Sequence, residues 1–551
     1  MDLADSHALP QGWTATTLGG VVESGVSQLG PQIEPFLYVD ISSIDNKTKR
    51  IVDPRQLSSD QAPSRARQRL LTGDVVVSMT RPNLNAVALV PDGMTGAISS
   101  TGFHVLRAVA SVPQFLLYLV QSHDFVEAMT KLVQGALYPA VRPKDINTFG
   151  FALPPLPEQT RIVAEIERQF SLLDAGVANL RRVQATLKRY RASVLQAACE
   201  GRLVPTEAAL AQEEGRDYEP AAVLLTRILA ERRARWESEQ SAKMEAQGKL
   251  ALNGAWKAKY QEPAAPDTKG LAALPEGWVW TTLGQAFGVY VGATPSRAEA
   301  SYWGGDVRWV SSGEVAFCRI NDTRETITDA GLANTSTAVH PLGTVLLGMI
   351  GEGKTRGQVA ILNVSACNNQ NCAAIRVSET NIPPELVYRY LEGKYAETRR
   401  SGSGNNQPAL NKTSVSAMPF PLPPLEEQKR IVAEMERSLS VVDNLEQVVK
   451  VNLKRAERLR QAVLKEAFAG RLVPQDPADE PASVLLERIK AEREAQARTP
   501  AKAGRRKEKG NAEYGHADAA GKTVPSGHAQ RKRGAADQAR LQPDLFSANG
   551  G

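Results

Sequence analysis

A chain of 551 residues is several times the size of one ordinary domain, so more than one folded unit is required. With 42% apolar and 23% charged residues it can build real cores and is too apolar to be disordered throughout. No stretch reaches the roughly 18 apolar residues of a membrane span, and the acidic opening MDLADSHALPQGW lacks the basic and apolar regions of a signal peptide, so a cytoplasmic location is expected. The net charge of +6 is matched by the end of the chain alone, where Gln496 to Gly551 holds 11 Lys or Arg and 5 Asp or Glu. The remaining body is formally neutral, so bulk charge does not argue for nucleic acid, although local basic clusters can.

The dominant pattern is an internal duplication of about 270 residues. LPQGWTATTLGG from Leu9 recurs as LPEGWVWTTLGQ from Leu274, with 8 of 12 positions identical, and LPPLPEQTRIVAEIERQFSLLD from Leu153 recurs as LPPLEEQKRIVAEMERSLSVVD from Leu422, with 15 of 22 identical. GRLVP at Gly201 returns at Gly470, and PAAVLLTRILAER at Pro220 returns as PASVLLERIKAER at Pro481. Between these borders the halves diverge, keeping a thin frame in which Gly73 and Met79 answer Gly343 and Met349, Tyr118 answers Tyr388, and Tyr138-Pro139-Ala140 answers Gln407-Pro408-Ala409.

In chain order, residues 1–152 form the first variable domain, where GDVVVSM and NAVALV predict two strands flanking a polar loop and PQFLLYLVQSHDFVEAMTKL has helical spacing. Residues 153–270 hold a long helix predicted from Glu158 to Cys199, led by prolines and stopped by Gly201, then a charged helix near Pro220 to Gln247 and a linker. Its apolar stripe, Ile166, Phe170, Leu173, Val177 and Leu180, is continued after a break in phase by Val183, Leu187, Tyr190 and Val194, which is a coiled-coil seam. Residues 271–421 repeat the variable domain with GTVLLGM and GQVAIL as the strand pair. Residues 422–497 repeat the helices, with Met435, Leu439, Val442, Leu445, Val449, Ala456, Leu459 and Val463 on the second stripe, and 498–551 form a low-complexity basic tail predicted to be disordered. Two matching stripes in one chain bury each other, in either direction.

Catalytic motifs are scarce. Gly348-Met-Ile-Gly-Glu-Gly353-Lys354-Thr355 satisfies the phosphate-loop pattern, but a phosphate loop must open a helix, whereas RGQVAILN after it reads as a strand, so a glycine-rich hairpin tip is expected. Cys367 and Cys372 lack the two further ligands of a zinc site, so no metal centre is expected. Binding is favoured over catalysis. In the first domain Arg81, Asn83 and Asn85 fall on the hairpin tip, Arg65, Arg67 and Arg69 form a spaced basic run, and Arg142 and Lys144 follow Tyr138. In the second, Lys354, Arg356 and Gln358 take the matching tip, with Asn368, Asn369, Gln370, Asn405, Asn406 and Lys412 as further candidates. Arg and Lys bind guanine edges or phosphates, and Asn or Gln pairs with adenine, so such a set can read DNA. Two other readings compete: an ATP-dependent enzyme using Gly348–Thr355, and a coiled-coil scaffold that never touches bases.

With its paired LPPL-EQ-RIVAE helix starts, GRLVP closures and LP-GW-TTLG openings, the sequence resembles the specificity subunit of type I DNA restriction-modification enzymes over residues 9 to about 497. The resemblance implies an α+β (mixed α/β) fold with a pseudo-two-fold duplication, in which two target-recognition domains are separated by long antiparallel coiled-coil helices. It implies a noncatalytic chain that binds no cofactor, recognises a split asymmetric site on double-stranded DNA, and assembles with two methyltransferase subunits using S-adenosylmethionine and with restriction subunits using ATP and Mg. It also implies that the helix starts, Glu158, Gln159, Arg161, Glu427, Gln428 and Arg430, contact the methyltransferase subunits. The tail departs from that pattern: its Gln542-Pro543-Asp544-Leu545-Phe546 looks like a peptide that docks on the replication sliding clamp.

Overall fold

A computed structural model of the chain describes residues 9–133, 139–247, 254–351, 353–400 and 409–498. Each variable domain is closed at its base by its own two ends. Strand Thr14–Thr17 pairs antiparallel with Gly150–Leu153, and Val279–Thr282 pairs the same way with Pro419–Leu422. This neck explains why the repeat is best preserved at the domain borders.

Above each neck stands a shared three-stranded antiparallel sheet. Val75–Ser78 lies between Phe103–Leu106 and Val87–Leu89, and the second domain places Val345–Gly348 between Cys372–Arg376 and Val359–Leu362. The middle strands VVVS and VLLG are buried at every position, as continuous apolar runs require when both faces are covered. The domains then differ. The first adds a separate four-stranded sheet ordered Arg55–Leu57, Phe36–Val39, Ile98–Ser100, Ala66–Arg69. The second extends the shared sheet to five strands with Gly288–Val291 and Cys318–Ile320. The helical stretch of the first domain divides into Pro113–Leu119 and His123–Lys131, and its counterpart into Pro384–Gly393 and Tyr395–Arg400.

The long helices run Leu156–Cys199 and Leu425–Phe468, 44 residues each, or about 66 Å at 1.5 Å per residue. They are antiparallel: Arg191 pairs with Asp443 at one level and Arg460 with Asp174 at another, so one index rises as the other falls. Between these pairs Leu187 packs with Val442 and Val449, joined by Leu180 and Leu453. The seam keeps one phase, stepping from Leu180 through Leu187 and Arg191 to Val194. The expected break at Val183 is corrected, because Arg191 occupies a seam position that an apolar pattern search skips. Consequently Val183, Tyr190, Leu445 and Leu459, all expected on the seams, are exposed by 45%, 49%, 43% and 41%.

Each end of the pair is a composite core. The first domain packs Phe115, Leu116 and Phe151 against Ile162 and Ile166 at the start of the first long helix and Leu464 and Ala467 at the end of the second. The second domain mirrors this with Ile431 and Met435 from its own helix and Val194, Leu195 and Ala198 from the other. Helix Ala221–Ala246 seals this end through Ala221, Leu224 and Ile228. The glycines of both GRLVP closures are required here. Gly470 has φ +70 and leaves only 2.5 Å between an added Cβ and the Pro10 ring, while Gly201 at φ +66 leaves 2.4 Å to Pro275. Each long helix therefore ends beneath the opening segment of the opposite repeat, and the Ala482 amide donates to the Gly12 carbonyl at 2.9 Å.

Candidate nucleic-acid interface

Both hairpin tips are braced by the same distant segment. In the first domain Val141 N–H donates to the Met79 carbonyl at 2.9 Å and Arg81 N–H to the Pro139 carbonyl at 2.8 Å. In the second, Leu410 N–H donates to the Met349 carbonyl at 3.0 Å. This brings Arg81 beside Ala140 and Arg142, about sixty residues on. Arg65, Arg67 and Arg69 are all exposed, the latter two alternating with buried Ala66 and Gln68 on strand Ala66–Arg69. Arg65 lies close to the tip, since its carbonyl accepts from Thr101 N–H and the adjacent Gly102 carbonyl accepts from Met79 N–H, both at 2.9 Å. Asn83 and Lys144 are exposed, and Arg142, also exposed, pairs with Asp145 at 3.3 Å. Tyr138, Asn405 and Asn406 lie outside the described residues.

Several candidates are internal ties instead. Asn85 is half-buried, with its amide donating to the Val120 carbonyl at 2.7 Å and its side-chain oxygen accepting from Lys49 at 2.9 Å. Arg356, expected at the second tip, is 6% exposed and its guanidinium donates to the Arg399 carbonyl. Asn368 is buried and donates to the Asn369 and Cys372 carbonyls at 2.9 and 2.8 Å, and the Asn369 side chain accepts from Asn371 N–H at 3.1 Å. These four side chains are tied inside the protein: in a polar-rich loop, buried polar side chains first satisfy the backbone around them. Lys354, Gln370 and Lys412 remain exposed and Gln358 half-buried. The Gln370 side chain accepts from the Thr294 hydroxyl at 2.6 Å, and Lys412 sits 5.9 Å from the Tyr290 ring centre.

The phosphate-loop pattern falls on an antiparallel hairpin, with Gly348 N–H donating to the Gln358 carbonyl and Gly357 N–H to the Gly348 carbonyl, both at 2.8 Å, and with Lys354 exposed. The helix that a phosphate loop requires does not follow, since Val359–Leu362 is a strand. Cys367 and Cys372 are buried, and burial pushes their thiols up to about 11 and about 12. Among the described residues no three His, Cys, Asp or Glu side chains converge as a ligand cluster, and no helix is long and apolar enough to cross a membrane.

The six helix-start side chains all have partners within the chain. Glu158 is buried and accepts from Trp13 Nε1 at 3.0 Å, and Glu427 accepts from Trp278 Nε1 at 2.9 Å and from Glu207 N–H at 2.8 Å. Gln159, wholly buried, accepts from the Ser111 hydroxyl and Val112 N–H at 2.8 and 3.0 Å, and Gln428 donates to the Pro423 carbonyl at 2.8 Å. Arg161 pairs with Asp479 at 2.7 Å, and Arg430 with Glu207 at 2.6 Å. These side chains lock each domain to both helices, so their near-identity in the two repeats reflects the corners of the frame.

Burial raises the Glu158 and Glu427 carboxyls above the usual carboxylate range, against the indole hydrogen bonds that lower them. A carboxyl whose pKa is higher folded than unfolded weakens the fold as pH rises through the interval between the two values, and the penalty is complete above both. Glu158→Gln, which keeps an acceptor for Trp13, is therefore expected to match or exceed the native thermal midpoint at pH 7.5, with the gain shrinking toward pH 4. Glu158→Leu strands the indole N–H and is expected to cost about 1–3 kcal/mol. A lower midpoint for the Gln variant at pH 7.5 would refute this assignment.

What the helix pair leaves exposed is apolar on one flank. Leu172, Val183 and Tyr190 each precede a seam position of the first helix, and Val441, Leu445, Val448 and Leu459 do so on the second. In an antiparallel pair the residues one step before each seam lie on the same side, so the two rows form one face. Two ion pairs repeat beside it, Arg168 with Glu165 and Arg437 with Glu434, each at 2.7 Å. Sequence periodicity could have found this face, because Val183 and Tyr190 are seven residues apart, but it was read as seam.

Two divergent loop-bearing domains thus stand at opposite ends of an antiparallel helix pair. A family model described as "Type I restriction modification DNA specificity domain" matches residues 275–454. The chain is 23% identical over 402 residues to the type I restriction enzyme EcoDI specificity subunit of Escherichia coli, covering 71% of this chain and 79% of that one. It is 22% identical over 519 residues to the EcoKI specificity subunit of Escherichia coli, covering 88% and 97%. A solved chain from a study of complex assembly and conformational transition in a type I R-M system superposes with a TM-score of 0.60 at 27% identity, covering 85% of this chain and all of that one. Over 71% and 88% of its length the chain is thus similar to specificity subunits of type I restriction enzymes.

Proposed function

We propose that this chain is the noncatalytic sequence-recognition subunit of a type I restriction-modification complex, acting on double-stranded DNA in the cytoplasm. The observation that carries the reading is the locked antiparallel frame holding two different loop sets at its ends. Each domain reads one half of a split asymmetric site, with Arg81 and Asn83 in the first and Lys354 in the second as exposed tip contacts, and the helix pair sets the spacing. Lys144, Arg65, Arg67 and Arg69 suit phosphates, which position the protein without reading sequence.

The exposed apolar face of the helix pair docks two methyltransferase subunits, which supply the S-adenosylmethionine chemistry; restriction subunits using ATP and Mg complete the complex. A long apolar face on a soluble helix pair marks a protein-docking surface, and its repetition in both halves suits two copies of one partner. Val183→Glu with Leu445→Glu is expected to reduce co-purification of the methyltransferase subunit about tenfold or more while leaving helix content unchanged. Unimpaired co-purification would place docking elsewhere. The peptide Gln542–Phe546, outside the described residues, is proposed to dock on the sliding clamp. A tail peptide should bind the clamp and its Leu545→Ala, Phe546→Ala form should not; no binding by either ends the idea.

A further inference from the structure

Non-glycine residues at positive φ are strained, asparagine least so, and tend to collect at functional sites. Among the described residues they are Lys49, Arg81, Asn85 and Phe317, at φ of 56°, 48°, 47° and 54°. Three of the four meet at one place. Arg81 and Asn85 bracket a single turn of 3-10 helix, Pro82–Leu84, and Lys49 reaches it from a hairpin 36 residues away, donating to the Asn85 carbonyl at 2.5 Å and to its side-chain oxygen at 2.9 Å. The Lys49 amine is thereby spent inside the protein. Burial lowers it to about 8, which is not the setting of a phosphate contact. The Val120 and Pro139 carbonyls hold the other two sides, and helix His123–Lys131 packs against the turn.

This bracing keeps Pro82 buried and drives Leu84 outward, 48% exposed, between exposed Asn83 and half-buried Asn85. An isolated exposed leucine needs no explanation, but one held on a strained turn braced from three directions does. We propose that the Arg81–Asn85 turn is a preformed reading finger in which Leu84 is a specificity-determining residue that contacts the methyl group of a thymine in the major groove, and Lys49 is the positioning residue that fixes the finger. The inference rests on the DNA-recognition reading and names the base feature that the first domain takes. The major groove admits an element of this width, and the thymine methyl is the one apolar mark among base edges there, so an aliphatic side chain beside Arg81 and Asn83 supplies the contact that polar groups cannot.

The test uses the assembled complex of the full chain with its methyltransferase subunits, and measures methylation of duplexes in which single thymines are replaced by deoxyuridine, which lacks the methyl. The half-site of the first domain is assigned by exchanging residues 9–152. One thymine in that half-site is expected to show about a fourfold loss on replacement, the worth of one buried methyl. Leu84→Ala should remove that discrimination while leaving replacements in the other half-site as in the native complex. Lys49→Met should broaden the bases accepted in the first half-site alone, and Lys49→Arg should restore part of the selectivity. A first half-site without thymine on either strand, or a deoxyuridine penalty undiminished by Leu84→Ala, would overturn the finger while leaving the recognition reading intact. Native complex that methylates no defined sequence would instead bring down the reading, and the finger with it.

Discussion

Deleting one heptad from each long helix at matched levels, residues 177–183 and 451–457, is expected to abolish methylation at the native site and to favour a site whose gap is two or three base pairs shorter. The two segments face each other in the antiparallel register set by Arg191 with Asp443 and Arg460 with Asp174, so both ion pairs and the seam phase survive. Seven residues shorten the pair by about 10 Å, which equals about three base pairs as an upper limit if the pair runs along the duplex. Three base pairs also turn the duplex by about 100°, and DNA twist must absorb that difference, so residual activity should be low. A deletion confined to one helix would put Arg191 or Arg460 out of register and should destabilise the chain. An unchanged gap in the double deletion would show that the helices are not the ruler.

The second large effect concerns symmetry. Replacing residues 274–421 with a second copy of 9–152 should convert the asymmetric site into an inverted repeat of the first half-site. The necks that join each domain to the frame share their register, Thr14 opposite Leu153 and Val279 opposite Leu422, so the copy can be seated on the second corner. An antiparallel pair relates its ends by a two-fold axis across the helices, and a two-fold protein matches a palindromic site. Mapping methylated bases of the hybrid checks this; a direct repeat, or the original site, would mean that the domains are not related in this way.

Much of the frame was readable because it is written twice. The first long helix begins two residues before its expected start and ends at Cys199 as expected. What local patterns could not supply was the long-range wiring. The neck pairs Thr14–Thr17 with a strand about 135 residues away, and Trp13 reaches Glu158 across 145 residues. The helix starts resemble solvated caps in sequence, with charged and amide groups after prolines, yet their Glu and Gln side chains are buried under their own domain, and Arg161 and Arg430 pair with the opposite segment. The seam was misread for a related reason. Arg191 is a polar residue at an apolar position, and its two acidic partners, Asp443 and Glu446, lie some 250 residues away. Among the loop candidates, arginines on the open edge of a strand stayed outside, whereas Asn85, Asn368 and Asn369 were drawn in to satisfy backbone carbonyls and amides. Lys49 had no local mark at all, since its role depends on a left-handed turn and a partner 36 residues on.

The central claim is that two domains on one rigid frame read two separate half-sites. Its most direct test is to express the chain with its methyltransferase subunit and map every methylated base by long-read sequencing. A split motif of two short half-sites with one fixed gap is the expected result. A continuous motif, or methylation without sequence preference in an intact complex, would contradict it.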